Sequence, residues 1–260
     1  ANAALVAPAH SKTQTFDTLV VSASGFEQDM KDAPASITVV TREELENKKT
    51  ASIAEALRDI EGVDVGGAVG KTGGMNISMR GMPSDYTLIL IDGRRQNSAG
   101  SVTPNGFGET ATSFMPPVSA IERIEVIRGP MSTLYGSDAM GGIINIITRK
   151  VAKEWGGSLN LETTLQQHRD FGNSNETSIY ASGPLIEDTL GLQVRGKLFN
   201  RNASDLTFTN ANGEVESVSK RGPSPVEGEN YNIGSRLTFT PNDDHELWLD
   251  GEVARQRYNN

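Results

Sequence analysis

Between residues 157 and 253 the chain alternates apolar and polar residues with a period of two. Gly157, Leu159, Leu161, Thr163 and Leu165 share one register; Ser158, Asn160, Glu162, Thr164 and Gln166 take the other. Leu190, Leu192, Val194, Gly196 and Leu198 oppose Gly191, Gln193, Arg195 and Lys197. Ile233, Ser235, Leu237 and Phe239 oppose Asn232, Gly234, Arg236 and Thr238. Leu247, Leu249, Gly251 and Val253 oppose Glu246, Trp248, Asp250 and Glu252. Thr177, Ile179 and Ala181 against Ser178, Tyr180 and Ser182 make a weaker fifth case. A pleated strand sends successive side chains to opposite faces, so this pattern predicts strands with one apolar and one charged face. Lipid outside and water inside a barrel require such faces; a soluble sandwich with one wet face is the rival.

The connections also alternate. Pro184 to Thr189 and Pro241 to Asp244 are short; Gln167 to Asn175 and Arg201 to Asn230 are longer. Short turns at one rim and long loops at the other fit an outer-membrane barrel. Trp155, near a strand start, suits an aromatic girdle. No apolar run approaches the ~20 residues of a membrane helix. The net charge of -9 argues against a nucleic-acid partner. With no Cys and only His10, His168 and His245, no catalytic or thiolate-metal constellation is visible and the chain does not read as an enzyme. Ala1-Asn2-Ala3 and Ala7-Pro8-Ala9 resemble the end of a cleaved export signal.

Ahead of the alternating region lies a different pattern. Ile121 to Thr148 reads strand, turn, glycine elbow, strand: I-E-R-I-E-V-I-R-G-P-M-S-T-L-Y-G-S-D-A-M-G-G-I-I-N-I-I-T. Gly129-Pro130 stops the first strand, because Pro has no N–H for a ladder. Met131 to Tyr135 suits one helical turn, and Gly141-Gly142 admits close backbone approach before the next strand. Ser36 to Val40 predicts a strand, followed by a capping box at Thr41 and Glu44. Ile53, Ala54, Leu57 and Ile60 share one face of a second helix stopped at Gly62. Gly70-Lys71-Thr72 suggests a phosphate loop, but Val65 stands where that motif needs Gly. Tyr86 to Ile91 is an apolar strand closed by the turn Asp92-Gly93. Arg94 to Pro117 lacks periodicity; a loop this long in a compact domain is usually functional. Ser119 is the expected cap of a short turn at Pro117 to Ile121. Near the start, Asp17 to Ala23 is β-prone and suits donation to a partner's sheet edge.

The Ile121 to Thr148 stretch closely resembles the signature of the plug domain of TonB-dependent outer-membrane receptors. S-M-R-G-M-P-S-D-Y-T-L-I-L-I-D-G, residues 78–93, is similar to a second plug signature. D-A-P-A-S-I-T-V-V-T, residues 32–41, looks like the catecholate branch, with the ferric enterobactin and colicin I receptors. The resemblance implies an α+β plug domain followed by the first strands of a transmembrane antiparallel β-barrel, which has twenty-two strands in the family. It divides the chain into a tail at 1–34 with a TonB box at 17–23, a plug at 35–150, and about five barrel strands at 151–260. Five strands cannot close round such a plug, and an open edge is untenable in lipid, so these residues are expected to be the N-terminal part of a longer receptor.

The resemblance further implies TonB-dependent uptake of a ferric siderophore across the Gram-negative outer membrane, catecholate type favoured. Rival readings are another cargo (hydroxamate siderophore, haem or cobalamin) or a structural or adhesion barrel. Asp17, Thr18, Leu19, Val20 and Val21 would pair with TonB, energised by ExbB and ExbD, from a periplasmic N-terminus. Arg80 and Arg128 match family arginines that pair with glutamates of the barrel wall. Lys71, Arg94, Arg95, Asn97 and Phe107 are candidate ligand contacts in the plug's outward loops, the cations suiting an anionic cargo. No cofactor or metal site is expected, since iron travels inside the siderophore. Outer-membrane lipid is a partner, with colicins and phage as further candidates.

Overall fold

The computed structural model describes residues 20–21, 28–29, 36–48, 52–66, 74–96, 115–129, 136–168, 170–219, 226–242 and 244–259. Near the start, β1 (Val20–Val21) pairs antiparallel with β2 (Gln28–Asp29). The first compact unit is a five-stranded mixed sheet flanked by two short helices. It contains β3 (Ser36–Thr41), β6 (Thr87–Ile91), β7 (Arg94–Arg95), β8 (Ile121–Arg128) and β9 (Gly142–Thr148), in the order β3-β8-β9-β6-β7. Only the β6 and β9 pair is parallel. A separate ladder joins β4 (Val63–Val65) to β5 (Ile77–Met79).

The first helix starts where the sequence predicts, and the second begins with a cap of its own. Thr41 and Glu44 make the capping box before α1 (Arg42–Lys48): the Thr41 N–H donates to Glu44 Oε2 at 3.0 Å and the Glu44 N–H to Thr41 Oγ1 at 3.4 Å. The Ser52 hydroxyl accepts from the Glu55 N–H and caps α2 (Ile53–Leu57). Ile53, Ala54, Leu57 and Ile60 are all buried. They pack with Leu45 on the sheet face formed by Ile124, Val126, Ile144 and Ile146. Each fully buried Ile contributes roughly 1.5–3 kcal/mol, so β8 and β9 carry much of this core. Leu88, Leu90, Ile127 and Ile143 form a smaller cluster.

Two backbone features fix the sheet's shape. Asp92 (φ 48°) and Gly93 (φ 75°) form a two-residue turn with both residues at positive φ, the geometry that matches strand twist in a tight hairpin; it joins β6 to β7. Gly142 has φ 152°, and a Cβ there would lie 2.4 Å from the Ile127 carbonyl oxygen. Only glycine lets β9 come this close to β8. Ser119 differs from expectation: Pro117 occupies the cap position of the Val118–Ala120 turn, with no side-chain cap bond, and Ser119 is buried inside it. The expected helical turn at Met131 to Tyr135 lies outside the described residues.

The second unit is an antiparallel sheet of long strands in the order β10-β11-β12-β15-β16. These are β10 (Gly156–Thr164), β11 (Ser174–Ile186), β12 (Leu190–Arg201), β15 (Glu227–Asn242) and β16 (His245–Asn259). The long connection between β12 and β15 carries a small hairpin of β13 (Thr207–Thr209) and β14 (Val215–Ser217). The alternation settles the faces as the sequence predicts. Leu161, Ile233, Leu249 and Val253 are exposed on one side; Gln193, Arg195, Asn230 and Asn232 are buried on the other, where the plug-like unit lies. β11 and β15 run further than expected, through Pro184 and Pro241. Register shifts fall beside both prolines, which is where a strand tolerates a residue without an N–H. Among the described residues no helix is long and apolar enough to cross a membrane.

Candidate functional site

The two units meet through an ion-pair network around Arg236, on the inward face of β15. Its Nη2 donates to Asp92 Oδ2 at 2.6 Å, its Nη1 to Thr148 Oγ1 at 2.8 Å, and its Nε to Asp250 Oδ2 at 2.8 Å. Asp92 belongs to the β6–β7 turn and Thr148 ends β9, so one guanidinium holds two places of the first unit and one of its own sheet. Asp92 is itself fixed: it accepts from the Thr148 N–H at 2.8 Å and from the Thr148 hydroxyl at 2.7 Å. Asp250 also accepts from Arg195 at 2.7 Å, and Arg195 reaches Glu252 at 3.0 Å. The side chains of Arg195, Arg236 and Asp250 are only 10%, 14% and 9% exposed. Charges this buried persist only when paired, and here every one is.

An aromatic platform adjoins the network. Trp248 lies on the same face of β16; the Arg94 guanidinium sits 4.1 Å from its ring centre and that of Arg236 5.3 Å. Cation–π contacts of this kind contribute roughly 0.5–2 kcal/mol, more as water is excluded. Along the seam, Arg149 lies over the Tyr180 ring at 5.3 Å. The Ala152 N–H donates to Ser182 Oγ at 3.0 Å.

Only some of the residues singled out from the sequence fall here. Arg94 does, but as a contact with the wall rather than in an outward loop. It follows directly from the Asp92–Gly93 turn, which places it at the Thr148 end of the sheet, and stacking on Trp248 holds it there. Arg95 forms an ion pair with Asp138 at 2.7 Å. Arg80 and Arg128 lie at the opposite end of the sheet, where Arg128 pairs with Ser36 and Gly142. Arg128 donates to the Glu61 carbonyl at 2.8 Å and to Thr38 Oγ1 at 2.9 Å. Arg80 is exposed, has φ 56°, and its N–H donates to the Gly62 carbonyl at 3.0 Å. Lys71, Asn97, Phe107, Asp17, Thr18 and Leu19 lie outside the described residues. Val20 and Val21 form β1. The sequence reading missed Asp92, Arg195, Arg236, Trp248 and Asp250 as a site. One signal was available: a tryptophan in the polar register of a strand, beside charged residues of adjoining strands.

With this geometry in place, comparison with known proteins gives the class. Residues 29–143 match the family described as the TonB-dependent Receptor Plug Domain. Residues 29–143 therefore form a plug domain of that family, and the long-stranded sheet that follows is consistent with barrel strands. Among particular relatives, it is 42% identical over 254 residues to the iron-regulated outer membrane virulence protein of Vibrio cholerae, covering 97% of this chain and 36% of that protein. The crystal structure of the siderophore receptor PirA from Acinetobacter baumannii matches with a TM-score of 0.69 at 33% identity, over 85% of this chain and 32% of that one. A ferric enterobactin receptor mutant, PfeA of Pseudomonas aeruginosa in complex with enterobactin, matches with a TM-score of 0.65 at 29% identity, over 87% of this chain and 34% of that one. The chain thus spans about a third of the length of these receptors. It is an outer-membrane protein, and its family is one of receptors rather than enzymes.

Proposed function

We propose that the receptor containing this chain takes up a ferric siderophore of the catecholate type across the outer membrane, driven by TonB. The observation that carries this reading is the shared plug and wall fold: plug sheet and five strands together match solved siderophore receptors, one of them holding enterobactin. Further strands would complete the wall, because the unpaired edges of β10 and β16 are untenable in lipid. Ferric triscatecholate is anionic, so Lys71 and Arg95 are the cations we assign to it, with Asn97 and Phe107 from the same loops. Arg95 would exchange its Asp138 partner for the cargo. Arg94 is withdrawn from that set by its stacking on Trp248. Asp17 to Val21 would be the strand that TonB captures by β-augmentation, and Arg80 and Arg128 the plug's half of a second contact with barrel glutamates.

Tryptophan fluorescence of the full-length receptor in detergent tests the cargo. Titration with a ferric catecholate, a ferric hydroxamate and cobalamin should give submicromolar binding for the catecholate alone. Tight binding of either other cargo would overturn the catecholate assignment.

A further inference from the structure

Glu125 is a carboxylate with no exposed surface, inside the plug sheet on β8. Such a group is retained only when its oxygens are paired. Its Oε1 accepts from Arg123 Nε at 2.9 Å and its Oε2 from Asn145 Nδ2 at 3.1 Å. Asn145, on β9, is also fully buried. Its amide orientation follows from its neighbours: with Nδ2 given to the carboxylate, Oδ1 turns to the Gly93 N–H at 3.2 Å. Gly93 is the second residue of the turn whose first residue, Asp92, is held by Arg236. A polar path therefore runs from Arg123 through Glu125 and Asn145 to the turn, and from the turn to the barrel wall.

We propose that Glu125 is a positioning residue for the contact between plug and wall. Its bonds to Arg123 and Asn145 both lie within the plug sheet. It sets the Asn145 amide, the amide fixes Gly93, and the turn then presents Asp92 to Arg236. The logic is one of donors and acceptors. A carboxylate accepts on both sides; a glutamine in its place has one accepting and one donating end. If its oxygen faces Asn145, its NH2 group opposes the Arg123 donor. If it faces Arg123, two amide NH2 groups meet, and relieving that clash by flipping Asn145 turns a donor on the Gly93 N–H. Every arrangement leaves one mismatch along the path. The inference rests on the plug and wall geometry and holds for whichever cargo the receptor carries.

Amide hydrogen exchange in the full-length receptor, read by mass spectrometry, tests it. Glu125→Gln should speed exchange in the segment 91–96 by about tenfold, the factor for one lost hydrogen bond, while the α2 segment 53–57 keeps its rate. The double variant Glu125→Gln with Arg236→Met should be no faster in 91–96 than the faster single variant, because both act through the same turn. If Glu125→Gln does not fold, Asn145→Ala replaces it: it leaves Glu125 its bond from Arg123 and removes both bonds of the Asn145 amide, to Glu125 and to Gly93. An unchanged rate in 91–96 overturns the proposal. So does a uniform acceleration across all plug segments, which would mark Glu125 as a packing residue only.

Discussion

Replacing Arg236 by methionine should loosen the plug from the wall without disturbing the fold of either. The side chain is 14% exposed and makes three charge-assisted bonds to Asp92, Thr148 and Asp250. Removing one partner of a fully buried pair costs about 3–5 kcal/mol, because the other charge is left uncompensated. Here both carboxylates keep other partners: Asp92 retains two bonds from Thr148, and Asp250 retains Arg195. We therefore expect about 2–4 kcal/mol, below the full figure. At about 1.4 kcal/mol per tenfold, the plug leaves the wall roughly 30- to 700-fold more often. Gln193 supplies the reporter. It lies opposite Arg236 in register, is fully buried, and its amide makes no hydrogen bond among the described residues. Gln193→Cys should react with a maleimide only when the plug moves away. Its labelling rate in the Arg236→Met receptor should rise by that factor. Arg255→Met, an exposed arginine of β16, is the control and should leave the rate unchanged. A rate within twofold of the parent in Arg236→Met would refute the reasoning.

The remaining expectations use the same structure. Gly142→Ala should cost more than about 3 kcal/mol, since it joins a Cβ clash of 2.4 Å with the Ile127 carbonyl to a positive φ; thermal unfolding of the plug reads this. Ser52→Ala should cost about 1 kcal/mol through loss of the α2 cap, seen as a lowered Tm. Leu249→Arg places a charge on the lipid face of β16, where Leu249 is 74% exposed. It should cost about 2–4 kcal/mol near the bilayer midplane, measured by denaturant titration in vesicles. Lys150→Ala should change stability by less than about 1 kcal/mol, because its pair with Glu246 is 3.6 Å long with the lysine 87% exposed.

Much of the fold was legible because its determinants are local. Period-two alternation assigned the faces of the long strands. The capping box at Thr41 and Glu44 marked the first helix start, and Asp92-Gly93 marked the turn after β6. Where local signals misled, the cause is physical. Pro184 and Pro241 were read as turn residues, yet they remain within strands because each stands beside a register shift. Ser119 was read as a cap, but Pro117 already starts the turn. The site was harder to see because Arg236 and Asp92 are 144 positions apart. Nothing in the spacing of either residue tells which plug turn rests on which wall strand. Arg94 shows the same limit: a cation in a long aperiodic stretch suggests a ligand contact in an outward loop, and only the tertiary structure sets it against Trp248.

Uptake of radioactive ferric catecholate by iron-starved cells tests the central claim most directly. The cells would lack their own catecholate receptors and carry the full-length receptor, with and without TonB. The account predicts uptake that disappears when TonB is deleted. It also predicts loss of uptake on Val20→Pro, which removes an N–H from the strand TonB would pair with, while binding of the ferric catecholate at the cell surface persists. Uptake that continues without TonB, or cells that neither bind nor take up the complex, would contradict it.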